Sequence, residues 1–259
     1  MTAEVDRPDG WKNMDDFAAG IDTNRIPVSD VLAGTEVSLT FDDGTTTTLS
    51  FKDAHSVSVD GGAADWYEAI AVRDDLFFVH WTQASQPREA YVVVLHTATG
   101  HALRIVSIVA EERTPGEPQV SQTFTPGTID GREVTGEAPA PTRDLIGRRA
   151  LYRYSPNHLY EHVYLSSERY AWQCLVGEQR GHGDVDMAST WKIAEDVYVF
   201  TFREFLIPVA ATWLYDWAAL RSVGSFLGVS GEGDIRNSGG GAYIQPLGQV
   251  TYPDGGEPV

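Results

Sequence analysis

Residues 149–205 read RALYRYSPNHLYEHVYLSSERYAWQCLVGEQRGHGDVDMASTWKIAEDVYVFTFREF, and their alternation decides the fold. With a period of two, the stretch gives four consecutive half-buried strands. Leu151-Tyr152-Arg153-Tyr154 places both tyrosines on one face and Arg153 on the other. Tyr160 to Leu165 brings Tyr160, His162 and Tyr164 together. Tyr170 to Cys174 is the third strand. After a glycine-rich turn, Asp196 to Glu204 sets Glu204 on the face of Tyr198, Phe200 and Phe202. A carboxylate at the end of an aromatic face needs a partner or a raised pKa, and a pocket is the simplest resolution.

Upstream, Gly34 opens a similar series. Val37 to Phe41, the turn Asp42-Asp43-Gly44 and a threonine-rich return to Phe51 form a hairpin signal. Strands are expected at Val57–Val59, Trp66–Val72, Leu76–Gln83, Tyr91–Thr97 and His101–Val109. Short, evenly spaced strands of this kind argue for an antiparallel barrel or sandwich. Gly34 and Gly147 each precede a strand, and that one offset sets Leu39 against Tyr152 and Phe41 against Tyr154. Asp75 to Trp81 likewise lies over Asp196 to Phe202, with Gln83 on Glu204. The chain therefore reads as two similar β-modules of roughly a hundred residues each. The first looks packed and the second lined.

The expected divisions are an N-terminal arm at 1–33, a first module at 34–110, a Pro/Gly-rich linker at 111–142 and a second module at 143–259. The arm can hold at most a short helix around Trp11, Met14 and Phe17, covering one end of the fold. Gly231 to Gly241 reads as a mobile C-terminal loop, because no strand–helix unit makes it a phosphate loop.

With 19 basic against 37 acidic residues the net charge is −18. No basic cluster interrupts this, so nucleic acid and anionic membranes are poor partners. Cys174 is the single cysteine, no apolar run is long enough to span a bilayer, and the N-terminus lacks a signal-peptide pattern. A cytoplasmic protein is expected, and a homodimer is left open.

Tyr152, Tyr154 and Glu204 are the sharpest candidate catalytic group: two phenols can hold a substrate oxygen while a desolvated glutamate moves a proton. The competing reading caps the phenols on backbone and leaves Glu204 at a wet rim. His162 and the loop residue His182 are further acid–base candidates. Tyr160, Tyr164, Trp172, Asp184, Trp191, Tyr198, Phe202 and Trp213 are expected to bind a planar aromatic or conjugated molecule. Neither cofactor nor metal is expected, although the spacing His182, Asp184, Asp186 is worth testing as a ligand set. Cys174 reads as core packing, and no carboxylate partner is readable for His80, His96 or His101.

The segments DLIGRRALYRYSP, YEHVYLSSERYAWQCLVGEQRGHGDVD and WKIAEDVYVFTFRE resemble the MoaF family, named for molybdenum cofactor biosynthesis. NRIP, LAGTEVSLTFDDG and DDLFFVHW extend the likeness to the first half. The resemblance implies an all-β protein of two tandem lipocalin-like (calycin) barrels. A more distant likeness is to phenolic acid decarboxylases, whose tyrosine pair falls on Tyr152 and Tyr154 and whose catalytic glutamate falls on Glu204. Their substrate-binding arginine would fall at or near His182, with Arg180 close by. Some relatives of this architecture resemble cyclases of aromatic, carbazole-type natural products. Together these imply a cofactor-independent cyclase or lyase of secondary metabolism, or else a small-molecule carrier or molybdenum cofactor accessory protein.

Overall fold

The computed structural model describes residues 11–256 and 258, so the first ten residues of the expected arm lie outside the described residues. The first barrel is closed by eight antiparallel strands in sequential order: β1 (Glu36–Phe41), β2 (Thr46–Phe51), β3 (Ser56–Val59), β4 (Ala64–Arg73), β5 (Leu76–Gln83), β6 (Gln86–His96), β7 (His101–Val109) and β8 (Val120–Ile129). The two-residue β9 (Ala140–Pro141) then lies along the second barrel. That barrel comprises β10 (Arg148–Ser155), β11 (His158–Tyr164), β12 (Arg169–Val176), β13 (Gly183–Ala194), β14 (Val197–Arg203), β15 (Val209–Asp216), β16 (Arg221–Val229) and β17 (Ile235–Gln249). Pairing of β10 with β17 and of β12 with β13 makes it continuous. The fold is two antiparallel β-barrels in tandem, as the sequence implies.

The internal repeat extends to hydrogen bonds. Gly34 donates its N–H to the Phe51 carbonyl at 2.8 Å, and Gly147 donates to the Tyr164 carbonyl at 2.9 Å, each tying the entry of a barrel to the end of its second strand. Both glycines have positive φ, a region open to a residue without Cβ. The aligned strands β5 and β14 are the fifth of their barrels, and β1 and β10 the first.

Three expectations are corrected. The linker at 111–142 contains β8, which closes the first barrel against β1. Its threonines and Pro126-Gly127 mask the strand pattern, yet Gly127 fits there because a Cβ would lie 2.5 Å from the Thr40 carbonyl oxygen. From Ile235 onward the glycine-rich loop is part of β17: a Cβ on Gly240 would press on the Trp213 ring, and one on Gly241 on the Arg25 backbone. Finally, the strands between 149 and 205 number five. β13 was not anticipated because its inward positions, Asp186 and Ala188, are acidic and small rather than apolar.

The two interiors differ. The first is filled by hydrocarbon and ring side chains, including Leu39, Phe41, Leu49, Phe51, Phe77 and Trp81. The second is built of aromatics carrying polar atoms. Between the barrels a further core joins Ile70, Phe78, Val92 and Leu103 to Val197, Val199, Leu214 and Val223. Arg73 crosses this junction to grip Asp216 at 2.6 and 2.9 Å. Contrary to the sequence reading, His80 does have a carboxylate, Glu68, its cross-strand neighbour at 3.2 Å. Glu68 also receives Arg25 at 2.7 Å. Burial works upward on Glu68, but the hydrogen bonds from His80 and Arg25 outweigh it and hold the carboxyl at about 2. No helix among the described residues is long and apolar enough to cross a membrane.

Candidate functional site

The inward side chains of the second barrel form two layers. Near the end crossed by Leu145–Arg148, four aromatics make a solid floor. Tyr152 and Tyr164 share a hydroxyl–hydroxyl hydrogen bond of 2.5 Å, Tyr215 stacks on Tyr152 at 5.0 Å, and Phe200 stacks on Tyr215 at 5.5 Å. Tyr198 lies at the same end, donating to Asp144 at 3.2 Å. Above the floor is an internal cavity of about 30 Å3. That is space for about two water molecules and less than an aromatic ring requires. The void is smaller than the sequence reading supposed because the inward tyrosines fill the floor themselves.

Around the cavity stand Tyr154, Tyr160, His162, Trp172, Phe202 and Glu204, all anticipated, with Tyr170, Gln179 and Phe226 from the barrel and Phe17 and Ile21 from the arm. The arm is its lid. The helix α1 (Met14–Ala18) is capped by Asn13 and Asp16, and it turns Met14 and Phe17 inward. Phe17 meets Phe226 edge-on at 6.4 Å. Asp15 accepts the Gly231 N–H at 2.7 Å, and Asn24 donates its backbone N–H to the Tyr154 carbonyl at 3.0 Å. Trp11 continues the lid over Trp172 and stacks on His182 at 5.0 Å.

Glu204 follows β14 and is 5 % exposed. Its carboxyl has no hydrogen-bond partner among the described residues, whereas its backbone N–H is bound to the Val209 carbonyl at 2.9 Å. Burial, with the nearby charges of Asp186 and Asp184, pushes its pKa well above the ordinary range. The acid is therefore held protonated and faces the cavity. The hydroxyls of Tyr154 and Tyr170 also lack partners among the described residues, and burial raises both pKa values, so both phenols stay protonated. Tyr160, by contrast, donates to Gln179 Oε1 at 2.8 Å. His162 lies between layers with Nδ1 3.5 Å from the Tyr215 hydroxyl, and burial lowers its pKa to about 3, leaving a neutral imidazole.

Other expected site residues lie elsewhere. Tyr152 and Tyr164 belong to the floor, Tyr198 lies beside it, and Trp213 packs behind Tyr154 at 5.2 Å. Trp191 faces out of the barrel and stacks on Phe124 of the first barrel at 5.5 Å. His182 is tied up against Trp11, and the half-buried Asp184 accepts the Val185 N–H at 2.7 Å. The tested ligand set does not converge, and no group of three metal-ligating side chains is present among the described residues. Arg180 is exposed, and none of the cavity residues is a cation, so the arginine of the decarboxylases has no counterpart inside.

Asp186 was undervalued in the sequence. Fully buried, it accepts Trp172 Nε1–H at 2.8 Å and the Phe205 N–H at 3.0 Å. Burial, exceeding the effect of those bonds, raises its pKa to about 6. Its place two residues beyond Asp184, on a strand that puts Asp184 opposite Trp172, was the available signal.

Residues 9–111 match the model of the MoaF N-terminal domain, and residues 139–250 match that of the MoaF C-terminal domain. Protein MoaF of Klebsiella aerogenes is 31 % identical over 219 residues, covering 80 % of this chain and 82 % of the relative. A crystal structure from Burkholderia vietnamiensis, described only as a candidate beta-lactamase, aligns with a TM-score of 0.34 at 14 % identity, over 40 % of this chain and 95 % of that one, which is too little for any argument. Two adjoining domain matches and a relative similar over most of both lengths make the conclusion plain: the chain belongs to the MoaF family.

Proposed function

We propose that the second barrel is a cofactor-independent acid–base site for an aromatic or conjugated small molecule, promoting cyclisation or dehydration in secondary metabolism. The observation that carries this reading is the Glu204 carboxyl, buried, unpartnered and facing a cavity beside the unpartnered Tyr154 and Tyr170 hydroxyls. An acid kept neutral by burial can give a proton to substrate and take one back, and such groups cluster at functional sites. Tyr154 and Tyr170 donate hydrogen bonds to a substrate oxygen, the task that the sequence alone gives to Tyr152 and Tyr154. Tyr152 is spent on Tyr164. His162, neutral, supports the ring stack from one side. The absence of a cation among the cavity residues counts against decarboxylation of a bound carboxylate. Substrate entry requires Phe17 and Ile21 to move outward, which also makes the arm the means of excluding water.

The test is incubation of the protein with small-molecule extracts of its source cells, followed by mass spectrometry. A consumed ion and a product isomeric with it, or lighter by water, are expected with wild type and not with Glu204→Gln. Equal conversion by both proteins contradicts the mechanism. A second reading, a carrier or an accessory of molybdenum cofactor assembly, is favoured by the closed lid: it predicts stoichiometric retention of a ligand and no product.

A further inference from the structure

We infer that the ligand of the second barrel carries a basic nitrogen, as an aromatic amine or amidine, which it presents to the Glu204 carboxyl, and that it carries no anionic group. This deepens the function proposed above and rests on it.

The argument begins with how the chain treats its other buried acids. Four carboxyls are buried among the described residues: Glu161, Asp186, Glu204 and Asp216. Asp216 is gripped by Arg73 through two nitrogens and also accepts the Ala219 N–H at 2.9 Å. Glu161 is bound by Arg149 and Gln173. Asp186 has an indole and a backbone amide. Only Glu204 has, among the described residues, no protein donor to its carboxyl, which faces the cavity. The donors missing from the protein are what a ligand can bring.

Charge and shape then narrow its class. No lysine or arginine is among the cavity residues, and Asp186 and Asp184 stand behind Glu204, so an anionic group entering here meets acids and no counter-charge. The walls are ring faces and edges, with Trp172, Tyr160 and Phe202 around the acid. Aromatic walls with a carboxyl at one side favour a flat cation, through the ring quadrupoles and, once Glu204 has given its proton to the ligand nitrogen or to water, through paired N–H donors to the carboxylate. A hydroxyl donor could meet Glu204 but gains nothing from the rings.

Three isosteric probes separate these cases: benzamidine, benzamide and benzoate. The void is too small for a ring while Phe17 is in place, so the titrations use full-length Phe17→Ala, with Ile21→Ala as a second opening should the first fail to fold. Isothermal calorimetry is expected to show benzamidine binding about tenfold or more tighter than benzoate, with benzamide between. Adding Glu204→Gln is expected to cost benzamidine about tenfold and to change benzamide by less than about threefold. Benzoate binding as tightly as benzamidine, or a preference unchanged by Glu204→Gln, overturns the ligand class and leaves the site reading standing. Failure of all three probes on both opened proteins rejects the site itself, and this inference with it.

Discussion

The two barrels share strand order, entry glycines and the alignment of β1 with β10, yet they use their interiors in opposite ways. Where the first has Leu39 and Phe41, both almost fully buried in hydrocarbon, the second has Tyr152 and Tyr154. Where the first ends its fifth strand with Gln83 in a surface groove, the second continues to Glu204, buried over a cavity. Closing a barrel of this size therefore does not decide whether it is solid; the inward side chains do. The second barrel accepts polar atoms in its interior by pairing most of them, while Glu204, Tyr154 and Tyr170 face the void without partners and the Gln179 amide nitrogen beside it also lacks one among the described residues. Departures from full pairing of this kind are expected where a fold carries function.

Sharpening this contrast starts with the solid barrel. Trp81 is 2 % exposed and stacks on Tyr91 at 5.3 Å. Trp81→Ala is expected to cost about 3–5 kcal/mol in urea unfolding. A cost below about 1 kcal/mol would show that the first interior is not a packed core.

The next effect is the response to pH, in which the two acids near the cavity and the ion-paired carboxyls pull in opposite directions. Asp186 and Glu204 have raised pKa values when folded, so the native state keeps protons that the unfolded chain releases. Their contribution therefore falls as pH rises above the unfolded values of 3.8 and 4.5, with the Asp186 part complete just above about 6. For Asp186 the decline is on the order of 2–3 kcal/mol. Glu68, held at about 2, acts the other way: its contribution is present above 4.5 and is lost as pH falls toward 2. Denaturation of wild type and Glu204→Gln from pH 4 to 8 should show a shallower decline in the variant. Parallel curves would mean that Glu204 is hydrated or paired.

The smallest effects divide the two tyrosines that the sequence could not tell apart. Tyr152→Phe removes the bond to Tyr164 and is expected to cost about 1 kcal/mol. Tyr154→Phe removes an unpartnered hydroxyl and should change stability by less than about 0.5 kcal/mol while impairing the proposed chemistry. The reverse order would exchange the floor and the cavity.

The legible part of this molecule was what alternation carries. The Tyr152/Tyr154 and Tyr160/His162/Tyr164 faces, and the offset relating Leu39 to Tyr152, all follow from a period of two. Depth along a strand was not legible, since Tyr152 and Tyr154 point the same way and only the lid and floor distinguish them. Nor were β8, β13 and β17, whose inward or close-packed positions are glycine, alanine or acid: there the space is made by a neighbour, such as the Trp213 ring over Gly240. Trp191 misled because a strand residue next to a lined face can equally pack outward, here against Phe124.

The central claim is that Glu204 is a buried acid without a partner in the cavity of the second barrel. Carboxyl carbon-13 NMR, with the Glu204 signal assigned by its loss in Glu204→Gln, tests it in the free protein. The account predicts that this carboxyl stays protonated well above the ordinary glutamate value of 4.5. Titration at or below that value would contradict it.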